Sequence, residues 1–199
     1  MCALTPTSRL ATLTVWRLLV VASGALGVWL AALQYDVWWT ALSQLASVAV
    51  AVSYAGFAVQ ALRPSRSHDS ASAWLRGMLV TLMLLVSIGY LAMPRADLSA
   101  PYSVVEHLLT PALVVADFLL VDDSRASVRW WHPLTWLLPP AAYLSWYVLG
   151  DLRVYAVLDP GRPSEFVPRT LMLLVLVLAS GAFVYAMDRS RRLARQLPT

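Results

Sequence analysis

Polar side chains form two stripes within long apolar runs of this sequence. Ionisable groups inside such runs are costly in a membrane and indicate a functional role by default. Glu106 falls beside the second stripe and is expected to reach the outer headgroups. At helical spacing, one stripe contains Thr40, Ser43, Gln44 and Ser47, and the other contains His107, Thr110, Val114 and Asp117.

Thr40 and His107 are the pair whose residue types could do covalent chemistry. Each lies within about one turn of the same end of its apolar run. If the two runs cross a membrane in the same direction, the hydroxyl and the imidazole lie at matched depth. An imidazole titrates near neutral pH and can accept the proton of an attacking hydroxyl. This placement allows a nucleophile and base pair. The alternative is structural: the hydroxyls bond backbone carbonyls of their own helix, and the imidazole bonds a neighbouring helix.

The elements that must position this pair are membrane helices in a single all-α domain, residues 1–199. The chain is 59% hydrophobic and 13% charged, with a mean hydropathy of +0.65. About 20 apolar residues are needed to cross the hydrocarbon core as a helix. Six such spans are predicted: Trp16–Leu33, Trp39–Leu62, Trp74–Met93, Val104–Val121, Pro133–Gly150 and Thr170–Met187.

The arginines predict the orientation of these spans. All 15 basic residues are Arg, and eleven of them fall on the side of the bundle that holds both chain ends. The positive-inside rule then places the N- and C-termini in the cytoplasm. Arg95, Arg153, Arg162 and Arg169 fall on the outer side. The eleven are Arg9, Arg17, Arg63, Arg66, Arg76, Arg125, Arg129, Arg189, Arg191, Arg192 and Arg195.

Other kinds of site lack their sequence signals. Cys2 is the single cysteine, which excludes an internal disulfide and a cysteine-based metal site. No metal-ligand spacing and no phosphate-binding glycine loop occurs, so no metal and no cofactor are expected. Because short loops between spans hold the arginines, membrane topology explains them better than nucleic-acid binding does. His68 lies in a polar loop, and Asp117 is expected to pair with an arginine at the cytoplasmic end.

Several short motifs, in this order and spacing, resemble a known family. They are Trp39–Leu45, His107–Pro111, Asp117, Trp130–Pro133, Tyr143, Val157–Pro160 and Asp188–Arg189. From about Trp39 to Arg189 the chain resembles the six-helix androgen-induced and androgen-dependent membrane hydrolases, specifically their bacterial relatives. Gln44 stands where that pattern usually has Asn, and Phe118 where Trp is common.

The resemblance implies a membrane hydrolase of fatty-acyl esters, such as esters between two fatty acids. It carries the nucleophile to Thr40 and the partner imidazole to His107. Ser43 or Gln44 would stabilise the oxyanion, and Tyr102 or Asp159 would orient the imidazole. The substrate is then a membrane lipid ester, and the location is the cell membrane, expected to be a bacterial inner membrane. The alternatives are a non-enzymatic lipid- or small-molecule-binding protein, a subunit of an assembly, and a transporter or channel.

Overall fold

The computed structural model describes residues 6–61, 72–93, 96–121 and 127–196, and within them the fold is helical with no strand. The helices are α1 Pro6–Gln34, α2 Leu42–Ala61, α3 Ala73–Leu91, α4 Pro101–Val121, α5 His132–Thr135, α6 Leu138–Leu149 and α7 Pro163–Gln196. The predictions made for Cys2, Arg63, Arg66, His68, Arg95 and Arg125 lie outside the described residues.

Five of the described helices are long and apolar enough to cross a membrane: α1 from Leu10, α2, α3, α4 and α7. Their outward faces are apolar as well. Val52 on α2 is 68% exposed and Val175 on α7 is 64% exposed. Contiguous exposed apolar surface of this kind is rare on soluble monomers. The pattern is typical of helices whose solvent is lipid.

The helices alternate in direction, which can be read from contacts at the two ends of the bundle. At one end, here called the arginine end, Arg17 of α1 donates to the carbonyl of Phe57, late in α2, at 2.8 Å. Arg191, late in α7, donates to the carbonyl of Phe118, late in α4. At the other end, here called the loop end, the start of α2 contacts the loop 151–162.

The fifth predicted span, Pro133–Gly150, is broken into α5 and α6. Pro139 and Pro140 have no backbone N–H and cannot extend a helix toward their N-terminal side, so α6 begins beside them and a turn separates it from α5. The segment still connects the two ends. Val128, just before it, binds Asp188 at the arginine end, and Tyr147 binds the carbonyl of Tyr155 in the loop.

Trp136, in the turn between α5 and α6, fills the seam between α3 and α7. Its indole is 1% exposed, and its Nε1 donates to the carbonyl of Trp74 at 3.0 Å. Gly77 on α3 faces the ring so closely that a Cβ there would overlap it. Gly181 on α7 lies against Pro133 and the same indole. Glycine on both helices makes room for one large side chain.

Asp117 holds three helices together near the arginine end. Its carboxylate accepts a hydrogen bond from Tyr54 of α2 at 3.0 Å and lies 3.8 Å from the Arg76 guanidinium of α3. Both charged side chains are buried, and Arg76 also lies over the Phe118 ring. The expected pairing of Asp117 with an arginine at this end is confirmed.

Candidate active site

A cavity of about 370 Å³ lies near the loop end, between α2, α3, α4, α6, the loop 151–162 and α7. Its walls are mainly Leu, Val, Pro and aromatic side chains. No Arg, Asp or Glu of the described residues lines it. The polar lining residues are Ser43, Tyr90, His107, Tyr143, Tyr147, Tyr155 and Thr170. An apolar chamber with a few convergent polar groups is the usual form of a small-molecule site.

Among the described residues, His107 is the only imidazole in this lining, and its ring is held from two sides. Nδ1 lies 2.9 Å from the carbonyl of Ser103, one turn earlier in α4. A carbonyl can only accept, so Nδ1 carries the proton, and in the neutral ring the lone pair is on Nε2. The Tyr90 ring of α3 stacks on the imidazole at 3.6 Å between centroids. His107 therefore has the tautomer and the rigid placement of a base.

Tyr90 is itself fixed by the short chain between α3 and α4. Its hydroxyl donates to the carbonyl of Asp97 at 2.6 Å and accepts from the Asp97 amide at 2.9 Å. The Ser103 hydroxyl also donates to the Asp97 carbonyl, at 2.7 Å. The Asp97 side chain accepts a hydrogen bond from the Ser99 amide, which lowers the pKa of that carboxyl. The stack on His107 thus rests on an ordered turn.

The part of α4 that holds His107 is a π-helix, Val105–Leu109, which the sequence did not predict. A π turn has i→i+5 bonds and is wider than an α turn, so residues rotate relative to α-helical spacing. Glu106 consequently points into the bundle, fully buried, and accepts a hydrogen bond from the Gln44 side chain at 3.0 Å. The expectation that Glu106 reaches the outer headgroups is wrong.

The same rotation separates the residues of the second polar stripe. His107 faces the cavity, whereas the Thr110 hydroxyl shares a 2.7 Å hydrogen bond with Ser23 of α1. Asp117 faces α2 and α3 in a second π segment, Asp117–Val121. The three polar residues therefore serve three different contacts, and no single face holds them all.

Thr40 lies in a 3-10 turn, Trp38–Thr40, just before α2. Its hydroxyl donates to the carbonyl of Val37 at 3.0 Å, and its own carbonyl accepts from the Tyr143 hydroxyl at 2.8 Å. Thr40 is partly exposed and is not among the cavity-lining residues. Thr40 and His107, both described, share no hydrogen bond here. The structure places Thr40 beside the cavity wall and His107 inside the cavity.

The two oxyanion candidates differ in position. Ser43 is buried in the first turn of α2 and lines the cavity with His107. Its hydroxyl lies 3.2 Å from the Gln44 side-chain carbonyl and also lies close to the Glu106 carboxyl. The Gln44 amide group is bound to Glu106 and does not line the cavity. Only Ser43 of this pair can meet a ligand in the chamber.

Tyr102 and Asp159, the two candidates for orienting the imidazole, have other partners. The Tyr102 hydroxyl bonds to the Tyr35 hydroxyl at the end of α1, and their rings meet edge to face. Asp159 accepts from the Gly161 amide at 2.9 Å and lies 3.5 Å from Arg162 within the loop. The Ser103 carbonyl and the Tyr90 ring occupy the contacts of His107 that these candidates would have needed.

Tyr155 is a cavity residue that the sequence reasoning missed. Its hydroxyl accepts from the Leu42 amide, the first N–H of α2, at 2.9 Å. Burial raises the pKa of Tyr155 to about 12, so the hydroxyl stays protonated at neutral pH. The sequence holds one hint, a lone aromatic among the Val and Leu residues of the loop 151–162. It contains no sign of the helix that this tyrosine would cap.

Comparison of the chain with protein-family models, with curated proteins and with solved structures found no match. The resemblance drawn from the motifs therefore stays a prediction. Among the described residues, no three His, Cys, Asp or Glu side chains come together as metal ligands. What the site offers is one oriented imidazole, several hydroxyls and an uncharged apolar chamber.

Proposed function

We propose that this protein is a membrane-embedded hydrolase of fatty-acyl esters, with His107 as the general base. The observation that supports it is the imidazole inside the apolar cavity, with Nδ1 bound to a backbone carbonyl and the lone pair on Nε2. A base needs this arrangement to accept a proton from a hydroxyl. The uncharged lining favours a neutral ester over a phospholipid, because a buried charge without a partner is costly.

The reaction proceeds by acyl transfer. A hydroxyl at the start of α2 attacks the ester carbonyl while His107 Nε2 takes its proton. The ester C–O bond breaks, and the departing alcohol receives that proton from the imidazolium. Water, deprotonated by His107, then releases the fatty acid and regenerates the hydroxyl. The family resemblance gives the attacking hydroxyl as Thr40, and the cavity offers Ser43 as a second candidate.

The same proposal includes six crossings with both chain ends in the cytoplasm, in the cell membrane of a bacterium. The connection made by α5 and α6 between the two bundle ends supports the sixth crossing. The arginine distribution supports the orientation. The cavity, at the loop end, then lies on the outer side of the membrane, from which the lipid ester and water would both enter.

The proposal can be tested by measuring hydrolysis of neutral acyl esters of increasing chain length by the purified protein in detergent. We expect hydrolysis by the wild type and background rates for His107→Ala. His132→Ala is the control, because it removes an imidazole at the arginine end, outside the cavity lining. A wild type that binds such lipids without cleaving them would support the non-enzymatic binding protein instead. Equal rates in wild type and His107→Ala would disprove the role of His107.

A further inference from the structure

Ser43 occupies a position in which a hydroxyl can be activated and its product stabilised. It lies in the first turn of α2, is 6% exposed, and lines the cavity that also holds His107. Helix α2 and the π segment of α4 are in direct contact there. The Ser43 hydroxyl lies 3.2 Å from the Gln44 side-chain oxygen and close to the Glu106 carboxyl, and its hydrogen can turn toward either acceptor.

A buried hydrogen bond fixes Ser43 and His107 relative to each other. Gln44 and Glu106 are joined at 3.0 Å, and each is the immediate sequence neighbour of one member of the candidate pair. Gly27 of α1 leaves the space that Glu106 needs, since a Cβ there would come within 2.9 Å of the Glu106 Cγ. The hydrogen bond between Gln44 and Glu106 therefore fixes the position of Ser43 relative to His107.

The start of α2 also supplies a donor for an oxyanion. The first N–H groups of a helix have no partner within it. Tyr155 accepts from the Leu42 amide, while no turn or capping bond occupies the Ser43 amide in the described part of the chain. Because Ser43 lines the cavity and Gln44 does not, the Ser43 N–H is the candidate donor to a ligand there. A backbone N–H is a usual donor to an acyl-transfer oxyanion.

Thr40 differs from Ser43 in its position. It precedes α2, and it is not part of the cavity lining. The Tyr143 hydroxyl holds the Thr40 carbonyl, which fixes the turn that leads into α2. Its contacts are those of a residue that shapes the wall beside the chamber.

We propose that Ser43 is the nucleophile and that the Gln44–Glu106 pair positions it against His107. This inference rests on the proposed hydrolase function and moves the attack from Thr40 to Ser43. Ser43 Oγ bonds to the acyl carbon as its proton passes to His107 Nε2. The ester oxygen leaves with that proton as the alcohol. Water then cleaves the acyl-Ser43 ester, which releases the carboxylic acid and restores the hydroxyl.

The test is to map the covalent adduct of a lipophilic fluorophosphonate on the wild-type protein by peptide mass spectrometry. We expect the phosphonate on the peptide that contains Ser43, with fragment ions assigning it to that residue. Because this needs no variant, it does not depend on how a substitution folds. An adduct on Thr40 with normal hydrolysis would overturn the inference and leave the hydrolase function standing. If the folded wild type shows no labelling and no hydrolysis, both the Ser43 assignment and the hydrolase function are rejected.

Variants give the second measurement. Ser43→Ala should reduce hydrolysis to the rate of His107→Ala, and the double variant should be no slower, because the two act as one unit. Thr40→Ala should keep hydrolysis within about tenfold of wild type. Ser47→Ala is the matched control, a buried serine one turn later on α2 that does not line the cavity. If Thr40→Ala hydrolyses esters only at the background rate while Ser43→Ala stays active, the assignment of Ser43 as the nucleophile is overturned.

Discussion

At His107, one backbone carbonyl decides which ring nitrogen can act as a base, and one aromatic ring decides where the imidazole points. The Ser103 carbonyl belongs to the same helix, so it comes with the local fold. The Tyr90 ring comes from α3 and depends on packing between helices. These two contributions can be separated by changing Tyr90 alone.

Tyr90→Phe should keep most of the hydrolytic activity, and Tyr90→Leu should lose about tenfold or more. Phenylalanine retains the ring that stacks on His107 and loses only the hydroxyl that binds Asp97. Leucine removes the ring, so the imidazole can leave its attack position, and misplacement by about 1 Å can cost about a hundredfold. Ester hydrolysis by both variants, at matched thermal stability, is the measurement. Equal activity of the two would show that the stack has no positioning role.

Two glycines give a matched pair of stability predictions. Gly77→Ala should destabilise the protein by about 1–3 kcal/mol, because its methyl overlaps the buried Trp136 ring and forces repacking. A Cβ added at Gly56 on α2 would meet no atom of another element within 4 Å. Gly56→Ala should therefore be neutral or stabilise the protein by up to about 1 kcal/mol. Thermal unfolding in the same detergent, followed by tryptophan fluorescence, compares them. A Gly77→Ala protein as stable as Gly56→Ala would contradict the packing described for Trp136.

The sequence was informative about His107 and much less so about the hydroxyl that we propose acts with it. An isolated imidazole in an apolar run is conspicuous without any structure. The choice between Thr40 and Ser43 depends on where α2 begins. That start is set by a hydrogen bond from Leu42 to Tyr155, 113 residues away. Helical spacing alone treated both hydroxyls as members of one continuous helix.

At the scale of elements, α4 packs against three other long helices, α1, α2 and α3. Through Ser23 and Thr110 it contacts α1, and through Asp117 it contacts α2 and α3. Its two π segments rotate these side chains toward separate partners. The sequence predicted the helix from its apolar length, but a π turn leaves no periodic signal that distinguishes it from an α turn.

The Asp117 cluster allows a graded prediction. Tyr54→Phe removes one hydrogen bond to the carboxylate and should cost about 1 kcal/mol of unfolding free energy. Asp117→Ala removes the carboxylate beside the buried Arg76 guanidinium and should cost about 3–5 kcal/mol. Thermal unfolding of both variants in detergent should give that order. Hydrolysis by the Tyr54→Phe protein should be unchanged, since Tyr54 does not line the cavity. A smaller loss for Asp117→Ala than for Tyr54→Phe would contradict this account.

The element that the sequence described least well is the fifth predicted span, Pro133–Gly150. Its apolar length predicted one helix, but the adjacent Pro139 and Pro140 divide it, and the longest continuous piece is the 12-residue α6. Each of the other five spans corresponds to one continuous described helix, although Pro111 lies within α4 and Pro168 near the start of α7. Two adjacent prolines remove two successive backbone N–H donors, whereas each of these single prolines removes one.

For the whole molecule, the decisive question is the number of crossings, since it determines which side each end faces. If α5 and α6 complete a sixth crossing, Arg129 just before α5 and Arg153 in the loop after α6 lie on opposite sides of the membrane. In a Cys2→Ser background, Arg153→Cys should react with an impermeant thiol reagent in intact cells. Arg129→Cys should react only after permeabilisation. Labelling of both from the same side would reject six crossings, and labelling with the sides exchanged would reverse the orientation.

The hydrogen bond between the Tyr155 hydroxyl and the Leu42 amide has a kinetic consequence. The loop that covers the chamber and the first turn of the helix that carries Ser43 share this bond, so the loop cannot lift without releasing that turn. Exit of a product therefore competes with fraying of α2. This phenol contact contributes to the residence time of a ligand in the chamber, together with the bond from Tyr147 to the Tyr155 carbonyl. Tyr155→Phe should shorten that residence time, and the Leu42 amide should exchange with deuterium at the rate at which the chamber opens.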